Sequence, residues 1–285
     1  MKPKPFSKFG MARSSARLER VIRAFARAGK RPNAPETAHD LRVAIRRFQQ
    51  CLAMFDGLFA PKPAEKLRKR LRKLMDLCGA KRDYDVGLEV LAQAGLPPHH
   101  SVMTKFRQRQ VSGSRALARR LAKKSSRDEG DRWRKQLRTA KRPGGAWDWQ
   151  AGVAENAKAA LPRLAGEFFA EGDLALLAYG DHEALHQFRL HTKSFRYSLE
   201  LFAPGYGSGW KPMLETLREL QDRIGAINDC VVVLQLPEMD ALAMHAVRRL
   251  LVTHERSFGQ FWRETFPAKR REQWIRLLGR PSSRG

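Results

Sequence analysis

Apolar residues return at helical spacing along almost the whole chain. Leu18, Val21, Ile22 and Phe25 follow Ser14 and Ser15 and stop at Gly29, which predicts a helix over about 14–28. Leu41, Ile45, Phe48, Leu52 and Phe55 predict a second, with Thr37 as its N-cap after the loop 31–35. Pro61 and Pro63 open a third, striped by Leu67, Leu71, Leu74 and Cys78. Gly79 is expected to interrupt it, and a further helical piece runs to about Gln93 before Gly95, Pro97 and Pro98. A fourth helix spans about 99–123. Residues 125–148, from Ser125-Ser126 to Pro143-Gly144-Gly145, read as a linker, and Trp147 and Trp149 beyond it are expected to anchor the next helix on the core.

The order then repeats. A helix at about 150–170 precedes one opened by Asp181 as N-cap, and a turn holds Pro204, Gly205, Gly207 and Gly209. Leu214, Leu217, Leu220 and Ile224 mark the next helix, and Pro237 separates a last long one at about 238–265. Residues 231–236 would pass as a strand, but their counterpart from Asp85 onward has helical spacing, so both are read as helical. The fold class expected is all-α, with two four-helix bundle repeats related by pseudo-twofold symmetry. A single domain covers 14–266: repeat 1 at about 14–124, the linker at about 125–148, repeat 2 at about 149–266. Residues 1–13 and 267–285 read as basic flexible termini, the second with a short helix around Trp274 and Leu277.

Two of these helices carry a second pattern. At about 100° per residue, His39, Arg42 and Arg46 share a narrow arc opposite Leu41, Ile45, Phe48, Leu52 and Phe55. The pattern returns at His186, Arg189 and Lys193, where Phe195, Leu199 and Phe202 answer to Phe48, Leu52 and Phe55. Each helix is followed by a matching element, Gly79-Ala-Lys-Arg82-Asp83 in one case and Gly225-Ala-Ile-Asn228-Asp229 in the other. A lone histidine on a helix is more often a packing residue than a ligand; recurrence in register favours function here.

Charge narrows that function. The chain carries a formal +26, unevenly spread. Residues 1–140 hold 35 Lys and Arg against 12 Asp and Glu, and residues 141–285 hold 20 against 17. Such self-repulsion suits a polyanionic partner: nucleic acid, an anionic membrane or inorganic polyphosphate. Solvated basic faces would give the same composition. Cys51, Cys78 and Cys230 stand apart with no CxxC or Cys/His cluster, as expected of a reducing compartment, and no metal or cofactor is implied. No apolar run is long enough to span a bilayer, and Arg20, Arg23 and Arg27 break the first apolar stretch, which argues against a secretory signal. There is no zinc-finger spacing and no RRM signature, so nucleic-acid binding is the second reading.

The paired helices and their Gly-Asp elements resemble the CHAD family, the conserved histidine α-helical domain. His39-Asp-Leu-Arg42, Arg82-Asp83-Tyr-Asp85-Val86, His186-Gln-Phe-Arg189 and Lys193-Ser-Phe-Arg196-Tyr197 carry the resemblance. It implies two four-helix bundles about a pseudo-twofold axis, and a basic surface that binds inorganic polyphosphate and directs the protein to polyphosphate granules in the cytoplasm. Gln49, Gln50 and Ser194 stand where the family usually keeps basic residues.

Polyphosphate presents charge without bases, so a receptor needs a track of cations. Arginine offers a planar fork and lysine a point charge. The first track is expected at His39, Arg42, Arg46 and Arg47, the second at His186, Arg189, Lys193 and Arg196. Unpaired N–H groups at the helix starts should help, and a neutral imidazole beside a polyanion tends to take up a proton. Arg42 and Arg189 are equally well read as partners of Asp83 and Asp229. Lys66, Lys69, Lys73, Arg115 and Arg119 are secondary candidates; Lys123 continues the last pair at i, i+4 spacing. No catalytic residues are expected: the Glu-x-Glu-x-Lys of tunnel-type triphosphatases and the P-loop are both absent from this sequence.

Overall fold

The computed structural model describes residues 5–31, 35–124, 127–138, 140, 143–145, 147–178, 180–203 and 210–280, without the side chains of 35, 80, 81, 120, 122–124 and 127. The expected turn at 204–209, Ser125-Ser126, most of the loop 31–35 and the Lys123 side chain therefore lie outside the described residues. Among the described residues ten α-helices follow one another: α1 Phe6–Lys30, α2 Pro35–Met54, α3 Pro61–Gln93, α4 Ser101–Lys124, α5 Arg127–Gln136, α6 Val153–Leu177, α7 His182–Phe202, α8 Lys211–Leu234, α9 Ala241–Thr265 and α10 Ala268–Leu278. Among the described residues there is no β-strand, as the spacing predicts.

The chain divides into two compact units, residues 1–85 with 107–152 and residues 86–106 with 153–285. The end of α3 and the start of α4 thus belong to the second unit. The division concentrates the charge: the first unit has 36 Lys and Arg against 12 Asp and Glu, the second 19 against 17.

In the first unit the apolar stripes of α1, α2 and α3 are buried, with Leu18, Val21, Leu41, Ile45, Phe48, Leu67 and Leu71 all at 1% exposure or less. Several boundaries differ from the sequence reading. The supposed flexible arm is helical from Phe6. That ring is fully buried against Phe55, Trp147 and Trp149, with centroids 5.5, 5.0 and 5.7 Å away. The supposed linker contains α5, whose Trp133 packs 5.1 Å from Phe25 and whose Arg134 grips Glu19 at 2.6 and 2.8 Å. Thr37 lies inside α2 rather than capping it, and its hydroxyl donates to the Arg31 carbonyl at 3.2 Å. Gly79 does not break α3, which runs unbroken for 33 residues. A helix-interior glycine costs only about 1 kcal/mol relative to alanine, and the flanking turns outweigh it.

After α5 the chain straps the unit together. Ala60 N–H donates to the Arg138 carbonyl, Ala140 N–H to that of Leu58 and Gly144 N–H to that of Gly57, at 2.9–3.0 Å. The Trp147 indole donates to Met54 O at 2.6 Å, and Phe6 N–H to Ala151 O at 2.9 Å. The tryptophans therefore fasten the start of α1 to the end of α2.

The second unit is built on aromatic packing. Trp262 of α9 is fully buried and meets Phe168, Phe188 and Phe266 at centroid distances of 5.5, 5.2 and 4.7 Å. Its indole N–H donates to Asp173 at 2.9 Å, and Asp173 also pairs with Arg271 of α10. Residues 268–278 are consequently a docked helix and not a loose tail. Trp274 and Leu278 are its buried residues, while Leu277 faces out. Asp181 caps α7 as expected, accepting from Glu183 and Ala184 N–H at 3.0 and 3.1 Å.

Candidate functional site

His39 is exposed and Arg42, Arg46 and Arg47 are half-buried, since the apolar side of α2 is committed to the core. Both histidines are the fifth residue of their helix, four after Pro35 and four after His182. At the start of α7, however, the Asp181 carboxylate already takes two of the terminal N–H groups, so that helix end is not an open anion seat.

Arg42 reaches across to α3. Its Nη1 donates to the Met75 carbonyl at 3.3 Å, and the same atom would lie 3.9 Å from a Cβ on Gly79. A methyl group there would make only an ordinary van der Waals contact with the guanidinium. Burial holds the Arg42 proton less tightly than usual, and the charge of Arg46 adds to this; Arg82 acts in the same sense, while Cys78 and Asp83 oppose. The guanidinium stays charged regardless. Between the two readings of Arg42, the geometry gives neither alone: its hydrogen bond goes to a carbonyl, with Asp83 acting through its charge. The Nε atoms of Arg42 and Arg47 are buried with no hydrogen-bond partner.

At about 100° per residue, Arg68, Met75, Gly79 and Arg82 fall within about 60° of one another on α3. This side faces α2, because Arg42 bonds Met75 and Arg68 donates to Leu52 O at 3.1 Å. Lys66, Lys69 and Lys73 are exposed and lie roughly 100–160° round the helix from Arg68. They are not part of the α2 row. Lys69 stands 4.0 Å from Glu65. Arg115 and Arg119 are exposed on α4, where with Arg107, Gln108, Val111 and Ser112 they line an open hollow of about 550 Å³.

In the second unit, His186 Nδ1 lies 3.1 Å from Asn228 Oδ1, and Arg189 and Lys193 are half-buried. Sequence reasoning gave Asn228 no role, though it stands in the Gly-x-x-Asn-Asp element; in the first unit Arg82 fills its place. Arg196 is committed inward. Its Nε donates to Gln221 at 2.7 Å, it pairs with Glu200, and its guanidinium stacks 4.7 Å over Tyr197. Neighbouring His182 approaches the buried Glu255 at 3.2 Å. Among the described residues no three His, Cys, Asp or Glu side chains could hold a metal ion, and no helix is long and apolar enough to cross a membrane.

These features define an all-helical protein with cationic rows on α2 and α7. The chain belongs to the CHAD domain family, whose model matches residues 15–237. Two solved structures share its fold. The crystal structure of the CHAD domain from the plant Ricinus communis is 22% identical, with a TM-score of 0.62 over 99% of this chain and 94% of that one. PptA from Streptomyces chartreusis is 17% identical, with a TM-score of 0.59 over 96% and 99%. No curated protein sequence matches the chain.

Proposed function

We propose that this protein binds inorganic polyphosphate without chemical turnover, chiefly through His39, Arg42, Arg46 and Arg47 of α2 with Arg82 of α3, and that this binding carries it to polyphosphate granules. His186, Arg189 and Lys193 form a weaker row. Arg196, held by Glu200 and Gln221, supports the fold of that row and does not contact the anion. The supporting observation is electrostatic: Arg42 sits partly desolvated among Arg46 and Arg82, in a unit with three basic residues for every acidic one. Cations held together against repulsion gain when a polyanion enters.

The test is equilibrium binding of polyphosphate of defined length to wild type and to H39A/R42A/R46A/R47A, across a salt series, with DNA as competitor at equal charge concentration. Wild type should prefer polyphosphate. In the variant the slope of log affinity against log salt should shrink by about three, four lost contacts at roughly 0.7 each for a flexible polyanion. Stronger retention of DNA, or an unchanged slope in a folded variant, rejects the reading. Affinity that does not change between pH 5.5 and 8 at constant ionic strength would remove the histidines from it. Release of phosphate with Mg²⁺ or Mn²⁺ would show turnover.

A further inference from the structure

The α2 row does not use the cations of α4. That helix has no acidic residue along its whole length. From Arg107 onward it belongs to the same unit as α2. Arg107, Arg115 and Arg119 are exposed and border one open hollow of about 550 Å³, whose other lining residues, Gln108, Val111 and Ser112, are uncharged. Along a helix axis Arg107 to Arg119 covers about 18 Å, and His39 to Arg47 about 12 Å. The two rows are tied to one helix: Arg42 bonds the Met75 carbonyl of α3, and Gln110 of α4 donates to Asp85 of α3 at 2.7 Å.

We propose that Arg107, Arg115 and Arg119 form a second polyphosphate track in the first unit, and that one long chain occupies both tracks while a short chain fills only one. The proposal rests on the reading of the α2 row given above. Both rows are tied to α3, and with packed helix axes roughly 8–10 Å apart they lie within about two helix spacings of one another. A chain must bridge that gap after filling the first row. Once it does, the second engagement is intramolecular, and avidity rises by roughly 10²–10⁴-fold if the geometry is favourable. Chain length, rather than local phosphate chemistry, then sets the affinity. The exposed Val111 does not obstruct this, because the phosphate chain needs cations at intervals and no continuous polar surface.

The experiment compares tripolyphosphate with a polyphosphate whose contour far exceeds both rows. It uses the full chain as wild type, as R107A/R115A/R119A, and as R20A/R23A/K30A, a variant of equal charge altered on exposed α1 positions. The expected result is that the α4 variant keeps wild-type affinity for tripolyphosphate at its tightest site within twofold. It should lose at least about tenfold for the long chain, beyond any loss in the α1 variant. The proposal is overturned if long-chain affinity falls no further than in the α1 variant, or if the two ligands weaken in parallel. If wild type binds neither ligand, the reading of the α2 row fails as well, which separates that failure from one confined to α4.

Discussion

Gly172 of α6 faces Trp262 of α9 with no space for a side chain. A Cβ there would lie 2.8 Å from Cζ3 of the indole and closer still to Cζ2 and Cη2. The indole cannot easily retreat. It is fully buried, bordered by Phe168, Phe188 and Phe266, and tethered to Asp173 through its N–H. Gly172→Ala therefore sets two effects against each other. The helix gains about 1 kcal/mol from the better backbone propensity, and the core loses about 3 kcal/mol, the upper part of the usual overpacking range. The expected net loss is about 2 kcal/mol, or roughly 4–8 °C in Tm for a unit of this size. Gly166 supplies the contrast, since it lies in the same helix and, its own helix backbone aside, a Cβ there would meet nothing within 4 Å. Gly166→Ala should gain up to about 1 kcal/mol. Urea denaturation followed by far-ultraviolet circular dichroism measures both. Repeating Gly172→Ala in a Trp262→Phe background should recover about 1–2 kcal/mol as coupling energy. Equal stabilities for the two alanine variants, or the same cost in both backgrounds, would refute the steric argument.

Acid should weaken the hold on α10. The hydrogen bond from Arg271 is the largest influence keeping the Asp173 carboxyl below its ordinary value, and Trp262 adds to it. A depressed folded pKa contributes stability that is complete above the unfolded value of about 4 and is lost as pH falls through the folded value. The Tm difference between wild type and Asp173→Asn should therefore narrow below about pH 4; a constant difference from pH 7 down to pH 2 would contradict this. The cysteines should be inert. Burial raises the Cys51 thiol to about 11 and the Cys230 thiol to about 12, and Cys78 is equally enclosed. A thiol reagent at pH 8 should label none in the native protein and all three after denaturation. Gly79→Ala should stabilise α3 by up to about 1 kcal/mol, because its Cβ makes only an ordinary contact with Arg42. Polyphosphate affinity should stay within twofold, and a larger fall would mean that Arg42 needs the glycine.

The regular helices were legible because their apolar residues must share one face, and that requirement is local. The elements that escaped depend on distant partners. In α5 only Trp133 is a large apolar residue, and its packing on Phe25 and the Arg134–Glu19 pair join segments more than a hundred residues apart. The basic stretch 1–13 reads as a flexible arm, yet Phe6 is enclosed by tryptophans from beyond α5. In the candidate site, the spacing of His39, Arg42 and Arg46 was readable from helical geometry. The inward commitment of Arg196 was not, since Gln221 lies on another helix. Asn228 was visible as part of a repeated element, but its approach to His186 depends on how α7 and α8 pack.

The division of α3 and α4 between the two units bears on how this protein can be taken apart. Val86, Val90, Leu91, Leu96, Val102, Met103 and Phe106 are buried, and all fall in the stretch grouped with the second unit. A gene fragment ending between α5 and α6 would carry that apolar hairpin without its companions, and the complementary fragment would lack a piece of its own core. Neither half should be soluble alone. Co-expressed halves cut there should instead find each other, which makes this chain a candidate for split-protein reconstitution rather than for dissection into modules.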